Sequence, residues 1–209
     1  MLLHQNLDII ALQGIGGERE ASDIFSSLRE AGGETYDDFD YAFVESTDRF
    51  SGEHVVIMSR YPIFDARRVN KGVKRHLAAD ITLPGGQDIT VMTLSMSRGT
   101  NKSAVDRRRK GASTLRRTVA RTAQKQPVLV MGDIGESFIP EDDGYTKSTA
   151  GLLAGAGGKK DDDCKDSAEF SAAQGTHLDG RTLDHVFSCG LEMVDATTSG
   201  REQIVIAGE

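Results

Sequence analysis

The sequence contains only two cysteines, Cys164 and Cys189. They have no CxxC spacing, so the paired-cysteine pattern of a zinc finger is absent. This scarcity argues against a disulfide framework of the kind found in small secreted domains, and against a structural zinc site. Both side chains are therefore expected to be free thiols.

Long apolar runs are also missing. No stretch approaches the ~20 consecutive apolar residues that a membrane-spanning helix needs. The first residues, 1–12, lack a basic region ahead of the apolar ones and include Asp8, which is not the pattern of a secretory signal peptide. The sequence therefore predicts no membrane partner and a cytoplasmic location.

Basic residues are fewer than acidic residues. The 25 Lys and Arg residues are outnumbered by 32 Asp and Glu, which gives a formal net charge of -7. This balance excludes a protein that coats nucleic acid through bulk charge, although a local basic patch could still bind phosphates. No proline-rich linker or internal repeat divides the 209 residues, so we expect one domain spanning residues 1–209.

The sequence does contain short β-branched and aliphatic runs bounded by turn residues, a pattern typical of strands. These runs are residues 8–12, 55–58, 79–83, 89–94, 127–131 and 183–187. The third and fourth should form a hairpin, because a glycine-containing turn separates them. Apolar residues at helical spacing predict helices over 19–31 and 104–125, whereas glycines and charges predict a long loop over 150–174, with room for a short helix. Hairpins mixed with helices favour an α+β or layered α/β fold.

Four segments carry a resemblance to a known family. They read DIIALQ (8–13), VIMSRYPI (56–63), PVLVMGD (127–133) and RTLDHVF (181–187). In order and approximate spacing they resemble strands of the endonuclease/exonuclease/phosphatase superfamily, over roughly residues 5–207. The resemblance implies an α/β (α+β) fold, a DNase I-like four-layer sandwich with two mainly antiparallel sheets flanked by helices. The family's first strand would lie upstream of Met1, so either this sequence is truncated or the sheet lacks this strand and exposes an edge.

The family's chemistry is hydrolysis of phosphate esters around a divalent cation, usually Mg²⁺, that carboxylates from several strand ends hold. Three positions of this sequence depart from the family pattern: Gly14 replaces the metal-binding Glu, Ser95 a His, and Gly135 the Asn of Gly-Asp-x-Asn. Asp133 and Asp184 are retained. The resemblance makes them the candidate catalytic residues and metal ligands, and the alternative is that they only cap turns through hydrogen bonds.

A histidine for proton transfer is the next requirement. No histidine follows His185, so the family's terminal histidine has no counterpart. His185 adjoins Asp184 in a predicted strand and therefore points to the opposite face, which favours a structural role. The remaining candidates are His54 and His177, both in loop-like contexts, and His177 is the one that we assign to a catalytic role.

The predicted helix over 105–125 carries a second candidate site, because its only acid is Asp106 and its bases are Arg107, Arg108, Arg109, Lys110, Arg116, Arg117, Arg121 and Lys125. In an acidic protein this asymmetry predicts phosphate or nucleic-acid binding, for which the candidates are Arg107, Arg108, Arg116 and Arg117. The alternative is a solvated helix face. No aromatic residues interleave with these charges, so base stacking is not indicated.

Three hypotheses about function follow. The leading one is a diverged protein of this fold that is catalytically impaired or inactive and is retained for binding nucleic acid, a phosphorylated ligand or a protein, with weak Mg²⁺ binding or none. The second is an active Mg²⁺-dependent phosphodiesterase, nuclease or phosphatase that uses Asp133 and Asp184. The third is a structural subunit whose exposed sheet edge pairs with a protein partner or a second copy.

Overall fold

The computed structural model describes residues 7–45, 51–68, 73–136, 145–155, 164–166, 184–191, 195–198 and 204–207. The strands are β1 (Ile9–Ile15), β2 (Asp40–Phe43), β3 (His54–Ser59), β4 (Ile63–Arg67), β5 (Arg75–Thr82), β6 (Asp88–Ser95), β7 (Val128–Asp133), β8 (Lys165–Asp166), β9 (Asp184–Cys189), β10 (Asp195–Thr198) and β11 (Ile204–Ala207). The helices are α1 (Glu18–Gly32), α2 (Lys102–Ala123) and α3 (Thr149–Ala154), with 3₁₀ turns at Gly33–Tyr36 and Tyr145–Lys147.

The strands form two main sheets. A three-stranded antiparallel sheet has the order β1-β3-β2. A six-stranded sheet has the order β4-β5-β6-β7-β9-β8, in which only β6 and β7 run parallel. The parallel pair needs a crossover connection, and α2 supplies it. Strands β10 and β11 form a separate antiparallel pair.

Three apolar clusters stack the elements into four layers. The first packs α1, through Ala21 and Leu28, on the outer face of the three-stranded sheet. The second lies between the two sheets, where Ile57 of β3 meets residues such as Leu77 of β5. The third packs α2 and α3 on the outer face of the six-stranded sheet, with Leu115 among its buried residues. The predicted α+β sandwich of two mainly antiparallel sheets flanked by helices is confirmed.

The predicted elements also agree with the structure. Helix α1 covers the predicted 19–31, α2 covers most of 104–125, and β5 and β6 form the predicted hairpin. The segment 150–174, predicted as a loop with room for a short helix, begins within α3 and contains β8. The sequence does not predict strands β2, β4, β8, β10 and β11. Strand β4 has a register irregularity between Phe64 and Arg67, which breaks the alternation that marks a strand.

The prediction of free thiols is wrong, because Cys164 and Cys189 form a disulfide. The antiparallel pairing of β8 with β9 sets Lys165 opposite Ser188, so the cysteines that flank this pair face each other. Their separation of 25 residues carries no short-range signal. The two sulfurs come together only through the pairing of an edge strand that the sequence does not reveal.

Strand β1 lies at an edge of the three-stranded sheet. Its one partner within the described part of the chain is β3. The residues of β1 are uncharged, so this edge lacks the lysines that often protect an exposed strand.

None of the described helices combines the length and the apolar character needed to cross a membrane.

Candidate functional site

The two retained aspartates lie side by side at one end of the six-stranded sheet. Asp133 ends β7 and Asp184 begins β9, and the antiparallel register sets them opposite each other. On the other side of Asp133, the parallel register places Ser95 of β6. Arg75 of β5 lies beyond Ser95. A row of four polar residues, Arg75, Ser95, Asp133 and Asp184, therefore crosses adjacent strands.

The carboxylate of Asp133 is engaged on both oxygens. Its Oδ2 accepts a hydrogen bond from Arg98 Nε at 2.8 Å, and Arg98 Nη2 lies 2.8 Å from the same oxygen. Its Oδ1 accepts from the backbone N–H of Gly135 at 2.6 Å. Asp133 is only 4% exposed, whereas the side chain of Arg98 is 65% exposed. The positive charge beside the Asp133 carboxylate is therefore that of the Arg98 guanidinium.

Two glycines fix the backbone around Asp133. Gly132 has φ 144°, and a Cβ there would lie 1.9 Å from the carbonyl oxygen of Leu94, so this approach of β7 to β6 requires glycine. Gly135 has φ 68°, and a Cβ there would lie 2.9 Å from the carbonyl oxygen of Ser97. The position at which the family has Asn is therefore held in a left-handed conformation against a neighbouring loop.

The end of β1 has a glycine where the resemblance implies a metal-binding glutamate. The register with β3 shifts between Gln13 and Ile15, so Gly14 is the extra residue of a β-bulge, with φ 76°. This conformation favours glycine over glutamate. Gln13 Nε2 donates to Thr93 Oγ1 at 3.0 Å, which joins the sheets two residues before Ser95. The end of β1 therefore reaches the same end of the sandwich as the aspartates.

The glutamates nearest to Gly14 in sequence, Glu18 and Glu20, lie in the first turn of α1. Glu20 Oε2 accepts a hydrogen bond from the backbone N–H of Gly16 at 2.6 Å, at the start of α1. Glu18 is exposed in the first turn of the same helix. Both carboxylates suit the positive end of the helix dipole, which stabilises acidic groups in a first turn. Neither takes the place of the missing strand-end ligand.

A second ion pair lies at the same end of the sandwich. Arg75 Nη1 donates to Glu53, the residue before β3, and Arg75 Nε donates to the carbonyl oxygen of Ser95 at 3.3 Å. The side chain of Arg75 is 10% exposed. Because Glu53 precedes one sheet and Arg75 begins a strand of the other, this pair ties the two sheets together beside the row of polar residues.

The resemblance implies Mg²⁺, which requires oxygen ligands that are not committed elsewhere. Both oxygens of Asp133 have partners, and the guanidinium of Arg98 already supplies positive charge at Oδ2. Within the described ranges, no three His, Cys, Asp or Glu side chains are grouped as metal ligands. In this arrangement the described residues do not fit a Mg²⁺ ion. His177 lies outside the described residues, so its catalytic role stays a prediction.

The candidate arginines of α2 divide into two pairs. Arg108 is buried and donates to the carbonyl oxygens of Ser97 at 3.0 Å and Gly99 at 2.6 Å. Burial lowers the pKa of Arg108, and the Glu136 carboxylate, 3.9 Å from Nε, opposes that shift. Arg116 is half-buried and donates to Cys164 Sγ at 2.8 Å. These two side chains hold neighbouring elements in place.

Arg107 and Arg117 are the exposed pair. The structure places them on the outer surface of α2, away from the interior contacts of Arg108 and Arg116. Phosphate or nucleic-acid binding stays a prediction for all four arginines, but the structure does not bring the four together in one cluster.

Comparison with known proteins identifies the fold. No protein-family model and no curated protein sequence matches this chain, but solved structures do. An endonuclease/exonuclease/phosphatase from Beutenbergia cavernae is 16% identical, with a TM-score of 0.62 over 96% of this chain and 60% of that protein. The human Nocturnin catalytic domain, solved with a bound sulfate anion, is 10% identical, with a TM-score of 0.62 over 96% of this chain and 81% of that domain. This chain has the endonuclease/exonuclease/phosphatase, or DNase I-like, fold.

Another protein of this family, from Leptotrichia buccalis, is 15% identical with a TM-score of 0.62, and the match covers 94% of this chain and 80% of that one. At such identities the endonuclease/exonuclease/phosphatase likeness establishes the fold alone. This chain spans 60% of the Beutenbergia cavernae protein's length.

In this DNase I-like fold, two residues at the candidate site escape sequence reasoning. Arg98 lies in the loop after β6 and matches no family motif. Arg75 is the first residue of β5, a strand that is otherwise mostly buried and apolar. The only signal for them is a positive charge close to a strand end. His185 agrees with its predicted structural role, because it is fully buried and its ring stacks on Phe187 with centroids 5.6 Å apart.

Proposed function

We propose that this protein is a catalytically impaired or inactive protein of the endonuclease/exonuclease/phosphatase fold, retained for binding a nucleic acid or another phosphate-bearing ligand. The observation that carries the proposal is the hydrogen-bonded ion pair between Arg98 and Asp133, with Nε and Oδ2 2.8 Å apart. It stands where the resemblance implies a metal-binding carboxylate.

The chemistry of the two groups explains why this pair opposes hydrolysis. A bound metal ion supplies both positive charge and an open position at which water loses a proton readily. A guanidinium supplies positive charge but stays protonated and coordinates no water oxygen as a Lewis acid. The glycines at positions 14 and 135 remove two further groups, and losing one member of such a set usually lowers the rate by orders of magnitude.

The same arginine supports a binding role. A guanidinium has five N–H donors, and only those on Nε and Nη2 face Asp133. The side chain is 65% exposed, so its remaining donors are open to an anion from solvent. Planar donors of this kind suit phosphate oxygens. The Nocturnin domain, which shares the fold, is described with a bound sulfate anion.

A second candidate function is an active Mg²⁺-dependent phosphodiesterase, nuclease or phosphatase. It is favoured by the register that sets Asp133 opposite Asp184, since two adjacent carboxylates are the core of a hard-cation site. In this case a ligand would displace Arg98 from Asp133, and His177 would transfer the proton.

We also propose that residues 1–209 form a single domain. Pairing of the β1 edge with a protein partner or a second copy stays a prediction.

A cytoplasmic location also stays a prediction. The disulfide between Cys164 and Cys189 weighs against that location, because disulfides persist mainly in oxidising compartments.

Hydrolysis assays with Mg²⁺ or Mn²⁺ test the proposal, with plasmid DNA, RNA and bis(p-nitrophenyl) phosphate as substrates. Wild-type protein should give no more turnover than Asp133→Ala. Arg19→Ala, which changes an exposed residue of α1, controls for contaminating nucleases. Metal-dependent turnover that disappears in Asp133→Ala and persists in Arg19→Ala would establish the second candidate instead.

A further inference from the structure

Helix α2 carries four cations on one line. Arg107, Lys110, Arg117 and Arg121 are spaced by three, seven and four residues, so they fall within an arc of roughly 80° at 100° per residue. The hydroxyl residues Ser103 and Thr114 lie on the same line. At 1.5 Å per residue the four cations span about 21 Å. We call these four residues the basic stripe.

The basic stripe is exposed and rigidly supported. All four of its residues are exposed. The opposite side of α2, which includes Leu115 and Val119, packs into the core against the six-stranded sheet. Asn101 caps the start of the helix by accepting from the backbone N–H of Ala104 at 2.9 Å. A helix fixed along its length keeps the backbone positions of these residues at set spacings, so only the side chains are ordered when a ligand binds.

The charge of the basic stripe is not neutralised by its own helix. The only acid of α2, Asp106, lies 2.6 Å from Lys102 Nζ, outside the stripe. Among the described parts of the chain, no carboxylate pairs with any stripe residue. In a protein with a net charge of -7, such a line of uncompensated cations concentrates positive potential on one face.

We propose that the basic stripe binds the phosphate backbone of double-stranded nucleic acid without reading its sequence. A length of about 21 Å matches about six base pairs along a duplex, at 3.4 Å per phosphate of one strand. The stripe contains no aromatic residue for stacking on unpaired bases. It also contains no Asn or Gln, the residue types that read adenine edges. Cations and hydroxyls are the groups that contact phosphates.

The surroundings of the stripe disfavour two other polyanions. A helix that lies on a membrane inserts an apolar face into the lipid, but the apolar face of α2 is buried against the sheet. A surface that binds an acidic protein usually presents aromatic or aliphatic side chains beside its charges, and the basic stripe has no such side chain. The proposal rests on the proposed binding function, but it requires nothing of Arg98 or Asp133.

The test is fluorescence anisotropy with a labelled DNA duplex of about 20 base pairs, longer than the stripe can cover, titrated between about 50 and 200 mM salt. If about four phosphates are contacted, log K should fall against log salt with a slope of about -3.6. Arg117→Gln with Arg121→Gln should weaken binding roughly tenfold or more and reduce that slope by about 2.

The matched control is Arg19→Gln with Arg68→Gln, which removes the same charge from exposed positions on α1 and after β4. It should change affinity little. Equal weakening by both double variants, no salt-dependent binding in wild type, or tighter binding to phosphatidylserine vesicles than to the duplex would overturn the proposal. Duplex binding that Arg117→Gln with Arg121→Gln leaves unchanged would overturn the stripe as the binding site while the proposed binding function stands, so the two failures can be told apart.

Discussion

The guanidinium of Arg98 lies on the carboxylate of Asp133, with Nε 2.8 Å from Oδ2, at the strand end where a DNase I-like site would hold a cation. Because Asp133 is 4% exposed, its charge needs a partner, and the arginine supplies one. The retained aspartate thus has a structural partner in this chain, and its presence in the sequence is not by itself a sign of hydrolytic activity.

Glu136 is a buried acid beside α2. Its carboxylate lies 3.9 Å from Arg108 Nε, and it accepts from the backbone N–H of Thr149 at 3.0 Å. Glu136→Ala should lower the free energy of unfolding by about 3 to 5 kcal/mol, since it leaves a buried cation uncompensated. Urea denaturation measures the change.

The control for this prediction is Arg108→Met with Glu136→Leu, which removes both charges. It should cost less stability than Glu136→Ala alone, because no unpaired charge stays in the interior. A double variant that is less stable than the single one would contradict the role assigned to this pair.

The disulfide should contribute measurably to stability. It closes a loop with a sequence separation of 25 residues, for which loop-closure entropy gives about 3 to 4 kcal/mol. Guanidinium denaturation with and without dithiothreitol should show a loss of that order in wild type. Cys164→Ala with Cys189→Ala should be insensitive to the reductant. Equal stability of oxidised and reduced wild type would mean that the bond does not form in the folded protein.

His76 should make stability depend on pH. Burial lowers its pKa, with a smaller lowering by Arg68 and an opposing effect from the hydrogen bond to Val73. The unfolded chain therefore takes up the proton first, near its usual pKa of about 6.5. The contribution of this group is complete above that pH, and it is lost as pH falls from about 6.5 toward the folded pKa.

Denaturation at several values between about pH 5 and 8 measures this dependence. His76→Gln should flatten the profile. Profiles of the same slope in wild type and His76→Gln would rule out His76 as the source.

Local patterns in the sequence predict most of the scaffold. The apolar spacing of α1 and α2, and the turn between β5 and β6, are properties of neighbouring residues. Strand pairing is not local. The disulfide depends on the register of β8 against β9, and so the scarcity of cysteines gave the wrong expectation for Cys164 and Cys189.

The candidate site is predictable only in part for the same reason. The sequence identifies Asp133 and Asp184 by their positions at strand ends, and it identifies the missing glutamate at Gly14. It does not reveal that Arg98 folds back onto Asp133, because this contact spans 35 residues and follows no motif. The number of arginines in α2 likewise does not reveal that the side chain of Arg108 is buried.

Calorimetric titration of the wild-type protein with Mn²⁺, with Arg98→Ala and Asp133→Ala titrated in parallel, tests whether Arg98 keeps a divalent cation from Asp133. We expect no saturable heat in wild type or in Asp133→Ala, and saturable binding in Arg98→Ala, because that change frees Oδ2 of a buried carboxylate. Stoichiometric Mn²⁺ binding by wild type that Asp133→Ala abolishes would contradict the role assigned to Arg98.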